Sequence, residues 1–93
     1  MTHFHHVVLF RLHDDADVDA AMAALNEARP TEGLVSWQVE RSLDERKGRV
    51  IAQLSAFESA DAFQQWRASE PHQAAAAHLR EVADWLVADW EVS

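Results

Sequence analysis

Apolar residues fall in four short segments whose patterns are typical of β-strands. Residues 4–12 are rich in β-branched and aromatic side chains and are followed by acidic residues. Both faces of this first strand are apolar, as expected for a strand that is covered on two sides. Residues 34–43 alternate between apolar and polar positions, which predicts a half-buried strand. Residues 49–57 and 85–92 are predicted as the third and fourth strands.

In the segments between these strands, apolar residues recur every three or four positions, as they do in helices. An apolar stripe that includes Met22 predicts a helix over residues 15–28. Ser59 is a natural N-cap for a short helix over residues 60–68. The Glu70-Pro71 step breaks that helix, and Pro71 suits the first position of a further helical piece.

The resulting order of elements is β-α-β-β-α-β, with a broken second helix. This order predicts one α+β domain over residues 1–93 with a ferredoxin-like fold. Its helices can cover only one face of a four-stranded sheet, although the first and last strands are apolar on both faces. A second copy of the chain would cover the other face, so we expect a homodimer that closes as an α/β barrel. A monomer with scattered exposed apolar residues is the alternative.

Composition narrows the range of partners. Eight Lys and Arg residues against sixteen Asp and Glu residues give a net charge of −8, and no basic cluster is present. This charge argues against nucleic acid and against an anionic membrane as partners. The absence of cysteine excludes disulfides and thiolate metal sites. No apolar run could span a bilayer, and the first residues lack signal-peptide features, so we expect a soluble cytoplasmic protein.

Several segments resemble those of a known family. They are His6-Val7-Val8-Leu9-Phe10-Arg11-Leu12, Phe57-Glu58-Ser59, Phe63-x-x-Trp66, Pro71-His72 and Trp85-Leu86-Val87-Ala88-Asp89-Trp90. Their order and separations resemble the stress-responsive A/B barrel domain (Dabb) family over essentially the whole chain. The resemblance implies a homodimer in which two sheets face each other as a barrel.

The chain is also distantly similar to olivetolic acid cyclase, an enzymatic member of that family. This cyclase closes a poly-β-keto chain by aldol condensation without a metal or organic cofactor, so the resemblance implies no cofactor here. Carried over to this sequence, its catalytic histidine corresponds to His72 and its first-strand histidine to His6. Its catalytic tyrosine corresponds to Trp66 and its third-strand histidine to Ile51, so the match is partial. An indole donates a hydrogen bond but cannot act as an acid or a base.

His72 is the candidate base for chemistry on a ketone-bearing or aromatic substrate, because histidine titrates near neutral pH. It shares a helical face with small alanines, which favours a cavity between this helix and the sheet. His72 and His6 are the predicted catalytic residues if both point into that cavity. The predicted lining for a hydrophobic ligand is Trp66, Val8, Phe10, Met22, Ile51, Ala75, Leu79 and Trp85.

The histidines also have structural interpretations. His72 could cap the start of its helix, and His6 could be a buried histidine that bonds to a neighbouring group. His3 and His5 share a strand face, but no carboxylate follows at ligand spacing, so no metal site is predicted. Three functions therefore stay open: a cofactor-free proton-transfer enzyme, a non-catalytic stress-responsive binding protein, and a cofactor-independent monooxygenase of the same architecture.

Overall fold

The computed structural model describes residues 2–93, so that Met1 lies outside the described residues. Strands and helices follow the order β-α-β-β-α-α-β, which confirms the predicted ferredoxin-like α+β fold with a broken second helix. The elements are β1 (His3–Leu12), α1 (Val18–Glu27), β2 (Leu34–Arg41), β3 (Val50–Phe57), α2 (Ala60–Arg67), α3 (Glu70–Val82) and β4 (Ala83–Val92).

The four strands form one antiparallel sheet in the order β2-β3-β1-β4. The central strand β1 places His6 opposite Ser55 of β3 and opposite Asp89 of β4. Because side chains alternate along a strand, these three residues lie on the same face of the sheet. Buried residues of β1 and β3 share that face, so it is the face that the helices cover.

The apolar core lies between this face and the helices. One cluster joins sheet residues such as Phe10 and Ile51 to Leu25 of α1 and Leu79 of α3. A second cluster joins Phe57 of β3 to Phe63 and Trp66 of α2. Polar residues are few within this layer, and those that occur are His6, Gln53 and Ser55.

Side-chain caps set the helix boundaries. Helix α1 begins at Val18, later than predicted, because the Asp17 carboxylate accepts a hydrogen bond from the Ala20 amide at 3.1 Å. Ser59 caps α2 as predicted. The break before α3 lies at Ser69, the N-cap of a helix that starts at Glu70 rather than at Pro71. None of the described helices is long and apolar enough to cross a membrane.

The opposite side of the sheet, which we call the outer face, is apolar and open. It carries Val7 and Leu9 of β1, Leu54 of β3, and Leu86 and Trp90 of β4. Leu9 and Leu86 stand directly opposite each other on adjacent strands and are 45% and 73% exposed. Leu54 and Trp90 are also exposed. A single chain therefore leaves a continuous apolar surface without cover.

Candidate functional site

A cavity of about 450 Å³ lies between the covered face of the sheet and the helices. This volume is in the usual range for small-molecule sites. Eight of the ten candidate residues from the sequence line it: His6, Val8 and Phe10 from β1, Trp66 from α2, His72, Ala75 and Leu79 from α3, and Trp85 from β4. The two histidines thus share one cavity.

Met22 and Ile51, by contrast, do not line this cavity. Ile51 is fully buried within the core that α1 forms with the sheet, directly opposite Phe10 on β1. Met22 packs against the same core from α1. Both side chains pack in the core. The sequence analysis predicted them in the cavity lining, and the structure corrects that prediction.

His6 is held by a carboxylate on the neighbouring strand. Its Nδ1 lies 2.6 Å from Oδ1 of Asp89, and the two residues are direct cross-strand partners. An Nδ1–H that donates to Asp89 leaves Nε2 as the ring nitrogen free for chemistry. The ring is buried and packs against Phe63 and Trp66, with ring centroids 4.8 Å and 5.7 Å away. The imidazole therefore has a fixed orientation and a carboxylate as counter-charge.

Sequence reasoning missed Asp89, although a signal for it exists. This aspartate interrupts the apolar segment from Trp85 to Trp90, where every other position is apolar. A charged residue at an inward position of a strand indicates a buried partner. Only the strand register identifies that partner as His6, since the two residues are separated by 83 positions in the chain.

His72 has a different environment from that of His6. Its ring meets Trp66 edge-on at a centroid distance of 4.4 Å, and its Nδ1 is buried with no hydrogen-bond partner among residues 2–93. Burial lowers the pKa of His72 below its ordinary value of 6.5. The main chain of Arg67 opposes this change, whereas the charges of His6 and Arg67 lower the pKa further. His72 is therefore a neutral imidazole at neutral pH.

The cap of α3 is Ser69 rather than the His72 side chain. Ser69 Oγ accepts from the backbone amide of His72 at 3.4 Å and donates to the carbonyl of Trp66 at 2.6 Å. This removes the interpretation of His72 as the helix cap. Because Ser69 caps the helix, the His72 imidazole is free to face the cavity.

The Trp66 side chain contacts both histidines and is held in place by a hydrogen bond. Its Nε1–H donates to the carbonyl oxygen of Ala28 at 2.7 Å, so that this donor is already engaged within the protein. The indole touches the rings of both His6 and His72. Trp66 therefore packs against both histidines, and its N–H is not available to a ligand.

Four further polar residues, which the sequence analysis did not select, also line the cavity: Gln53, Arg67, Gln73 and Arg80. Gln53 of β3 is only 2% exposed, and its Nε2 donates to Ser55 Oγ at 3.0 Å. Arg67 and Arg80 also line the cavity, and neither forms an ion pair within residues 2–93. The signal for Gln53 is its parity on β3, which it shares with the fully buried Ile51 and Phe57.

Within the described part of the chain, no group of three or more His, Asp or Glu side chains could hold a metal ion. His5 lies on the outer face, where its ring stacks on Trp90 at 5.6 Å. His13 and His78 are exposed. The chemistry of the cavity is therefore that of two imidazoles, one carboxylate, two amides and two guanidinium groups.

Comparison with known proteins gives the family of the chain. The sequence profile of the stress-responsive A/B barrel domain (Dabb) matches residues 4–92. The chain belongs to this family. The resemblance drawn from the sequence is thereby confirmed. An uncharacterised protein of Streptomyces coelicolor is 31% identical over 93 residues, a match that covers 92% of this chain and 96% of that protein.

Solved structures share this Dabb fold at low sequence identity. A dimeric ferredoxin-like protein of unknown function from Thermobifida fusca is 18% identical with a TM-score of 0.86, covering 98% of this chain and 92% of that one. Hydroxynitrile lyase from Passiflora edulis is 18% identical with a TM-score of 0.82, covering 98% and 94%. SnoaB, a cofactor-independent oxygenase from Streptomyces nogalater, is 18% identical with a TM-score of 0.79, covering 100% and 95%. These likenesses establish the fold.

Proposed function

We propose that this protein binds a hydrophobic, carbonyl-bearing small molecule in the cavity and catalyses a proton transfer on it without a cofactor. His72 is the base, and His6 is the proton donor. The observation that carries the proposal is the pairing of two histidines in one cavity with opposite surroundings. Burial lowers the pKa of His72, whereas His6 has the Asp89 carboxylate 2.6 Å from its Nδ1.

The two environments divide the roles of base and acid. A base must be unprotonated at working pH, and desolvation keeps His72 in that form. For the proposed acid His6, the Asp89 carboxylate lies 2.6 Å from Nδ1, fixes the ring and leaves Nε2 to face the substrate oxygen. Paired titratable groups whose surroundings favour different protonation states are a common basis for acid–base catalysis.

The proposed step is an enolisation. A C–H bond next to the substrate carbonyl breaks, and its proton forms a new N–H bond on the His72 imidazole. The electron pair moves through the carbon–carbon bond to the carbonyl oxygen, which takes the proton from Nε2 of His6. The product is the enol, with His72 protonated and His6 neutral. The same transfers in reverse regenerate the ketone and both histidines, so no oxidant or reductant is consumed.

Similar proteins support a cavity that handles small molecules. One structural relative is a hydroxynitrile lyase and another is a cofactor-independent oxygenase. Both names describe chemistry on small organic molecules within this architecture. The proposed ligand of this chain belongs to the same broad class, and the cavity of about 450 Å³ offers the corresponding space.

The proposal includes a homodimer that joins through the outer face. Leu9, Leu54, Leu86 and Trp90 are exposed on this face, and related structures from Bacteroides fragilis and Thermobifida fusca are described as dimeric. A second copy of the chain would remove these side chains from water, which stabilises the assembly by the hydrophobic effect. We place this homodimer in the cytoplasm.

Deuterium exchange tests the catalytic proposal. The probe is 2-tetralone, an aromatic ketone with acidic C–H groups beside its carbonyl, dissolved in D₂O and followed by proton NMR. We expect wild-type protein to accelerate exchange over buffer. We expect His72→Gln to lose about a hundredfold or more of that acceleration, as is typical when a general base is removed. Asp89→Asn should also slow exchange, because His6 loses its counter-charge.

The matched control is His78→Gln, which changes an exposed histidine on the same helix. Its exchange rate should equal that of wild type. Equal rates for His72→Gln and wild type would remove His72 as the base. Binding of 2-tetralone without exchange above buffer would instead support the non-catalytic binding protein that the sequence analysis left open.

A cofactor-independent oxygenase is the second candidate, favoured by the structural likeness to SnoaB. In such a reaction the substrate itself supplies the electrons that reduce oxygen, so a readily oxidised aromatic diol or quinol would be required. Oxygen consumption in the presence of 1,4-naphthohydroquinone, corrected for its autoxidation, distinguishes this candidate from proton transfer. We expect no protein-dependent consumption.

A further inference from the structure

Gln53 is a buried amide at the floor of the cavity, and its hydrogen bonding is incomplete. It lies on β3 opposite Val8 of β1, and only 2% of the residue is exposed. It is also one of the residues that line the cavity. Most buried side-chain polar atoms have at least one hydrogen-bond partner, so an unpaired oxygen on a side chain buried to this degree requires an explanation.

The hydrogen-bond chain around Ser55 fixes the orientation of the amide. Ser55 Oγ donates its single proton to the carbonyl oxygen of His6 at 3.2 Å, because a carbonyl can only accept. Ser55 Oγ must therefore accept from Gln53, and the atom 3.0 Å away is the amide nitrogen Nε2. The carbonyl oxygen Oε1 of Gln53 forms no side-chain hydrogen bond within residues 2–93, and unlike Nδ1 of His72 it is not among the fully enclosed atoms without a partner, so it is open to the cavity.

We propose that Gln53 is a specificity-determining residue whose Oε1 accepts a hydrogen bond from a hydroxyl or N–H group of the ligand. The inference builds on the proposed ligand-binding function of the cavity. The acceptors on His6, His72 and Asp89 serve proton transfer, whereas an amide does not titrate and binds its partner at every pH. Gln73 is a second amide in the lining, but it is exposed and its Nε2 donates to the carbonyl of Arg67. Ser55 couples the position of Gln53 to the main chain of His6, so the recognised group lies close to the reacting groups.

This placement selects among hydrophobic ligands. A ligand with a hydroxyl group at the floor satisfies Oε1, whereas an analogue with a methyl group there leaves a buried acceptor unpaired. The cavity should therefore favour phenols, enols and hydroxylated aromatic ketones over purely apolar molecules of the same shape. Loss of one such hydrogen bond corresponds to about a tenfold loss in affinity.

A pair of shape-matched probes tests this preference. Dissociation constants of 1-naphthol and 1-methylnaphthalene are measured by isothermal titration calorimetry. We expect wild-type protein to bind 1-naphthol about tenfold more tightly. The variant Gln53→Met keeps the side-chain volume but removes the acceptor, and it should bind the two probes within about twofold of each other. Gln53→Leu provides a second apolar variant if the first is poorly folded.

The control variant is Gln64→Met, which makes the same change at an exposed position of α2 away from the cavity and should keep the wild-type preference. A purely structural role of Gln53, through Nε2 and Ser55, would alter stability but would leave the ratio of the two affinities unchanged. Equal binding of both probes by wild type, or a preserved preference in Gln53→Met, would overturn the assignment of Gln53 and leave the cavity proposal intact. If neither probe binds to wild type, the proposed ligand-binding function fails.

Discussion

His6 and His72 have the same side chain, and their neighbours make them chemically different. His6 faces a carboxylate across a strand pair, whereas His72 is half-buried against an indole and its enclosed Nδ1 is unpaired. The difference arises because burial without a partner disfavours a charged ring, whereas a carboxylate offers it compensation. At the residue scale, the site is thus defined by what surrounds each imidazole.

The lowered pKa of His72 predicts a pH dependence of stability. Below the ordinary pKa of 6.5 the unfolded chain takes up a proton at this residue, whereas the folded protein resists it. The free energy of unfolding should therefore fall as the pH decreases from about 6.5 through the lower, folded-state pKa. His72→Gln lacks this contribution, so its stability relative to wild type should improve as the pH falls.

Urea unfolding of wild type and His72→Gln at about pH 7.5 and about pH 5.5 measures this effect. His78→Gln should follow wild type, because that histidine is exposed. If the free energy of unfolding changes with pH in the same way for wild type and His72→Gln, the environment of His72 does not lower its pKa.

At the scale of elements, the break between α2 and α3 positions the site. The two helices meet at Ser69, whose hydroxyl contacts the last turn of α2 and the first turn of α3 at once. This break places Trp66 at the end of one helix and His72 at the start of the next, with their rings in contact. A continuous helix would rotate these side chains to different directions.

Ser69→Ala should lower the free energy of unfolding by about 1 kcal/mol, as is usual for the loss of an N-cap. It should also loosen His72, because the Ser69 hydroxyl binds the backbone amide of that residue. Chemical denaturation measures the first effect, and NMR relaxation of the His72 amide measures the second. Ser69→Asn retains capping and should stay near wild type, as should Ser36→Ala at an exposed position of β2. Wild-type stability for Ser69→Ala would show that the cap contributes little.

At the scale of the whole molecule, the sheet has two unequal faces. The covered face holds the core and the cavity, and the outer face presents exposed Leu9, Leu54, Leu86 and Trp90. A chain of only 93 residues has a small core, so the proposed second copy on the outer face would add to its stability. The proposed barrel is the assembly in which two such faces cover each other.

Leu86→Glu should convert the dimer into a monomer, because a charge would be buried at the centre of the contact. Light scattering at micromolar concentration should give twice 10.5 kDa for wild type and 10.5 kDa for the variant. Leu43→Glu is the matched control, since Leu43 is 99% exposed in the loop between β2 and β3, and it should remain dimeric. A wild-type mass of 10.5 kDa would contradict the barrel arrangement.

The amino-acid sequence alone determined the order of elements, the broken second helix and the family. These features are local, since alternation in residues 34–43, the Ser59 cap and the Pro71 break are each readable within a few positions. Parity also assigns the apolar side of residues 34–43, whereas the first and last strands are apolar on both sides and their covered side does not follow from it. His72 and His6 were identifiable as candidates because their residue type and position are both visible in the sequence.

Only the tertiary structure decided which residues form the site. Strand register brings Asp89 to His6 across 83 positions, and the depth of the cavity excludes Met22 and Ile51 while including Gln53. Hydrogen-bond partners decided that the Trp66 N–H is engaged and that the Gln53 carbonyl is not. These properties depend on contacts between distant segments, and such contacts form only when helices and sheet pack together.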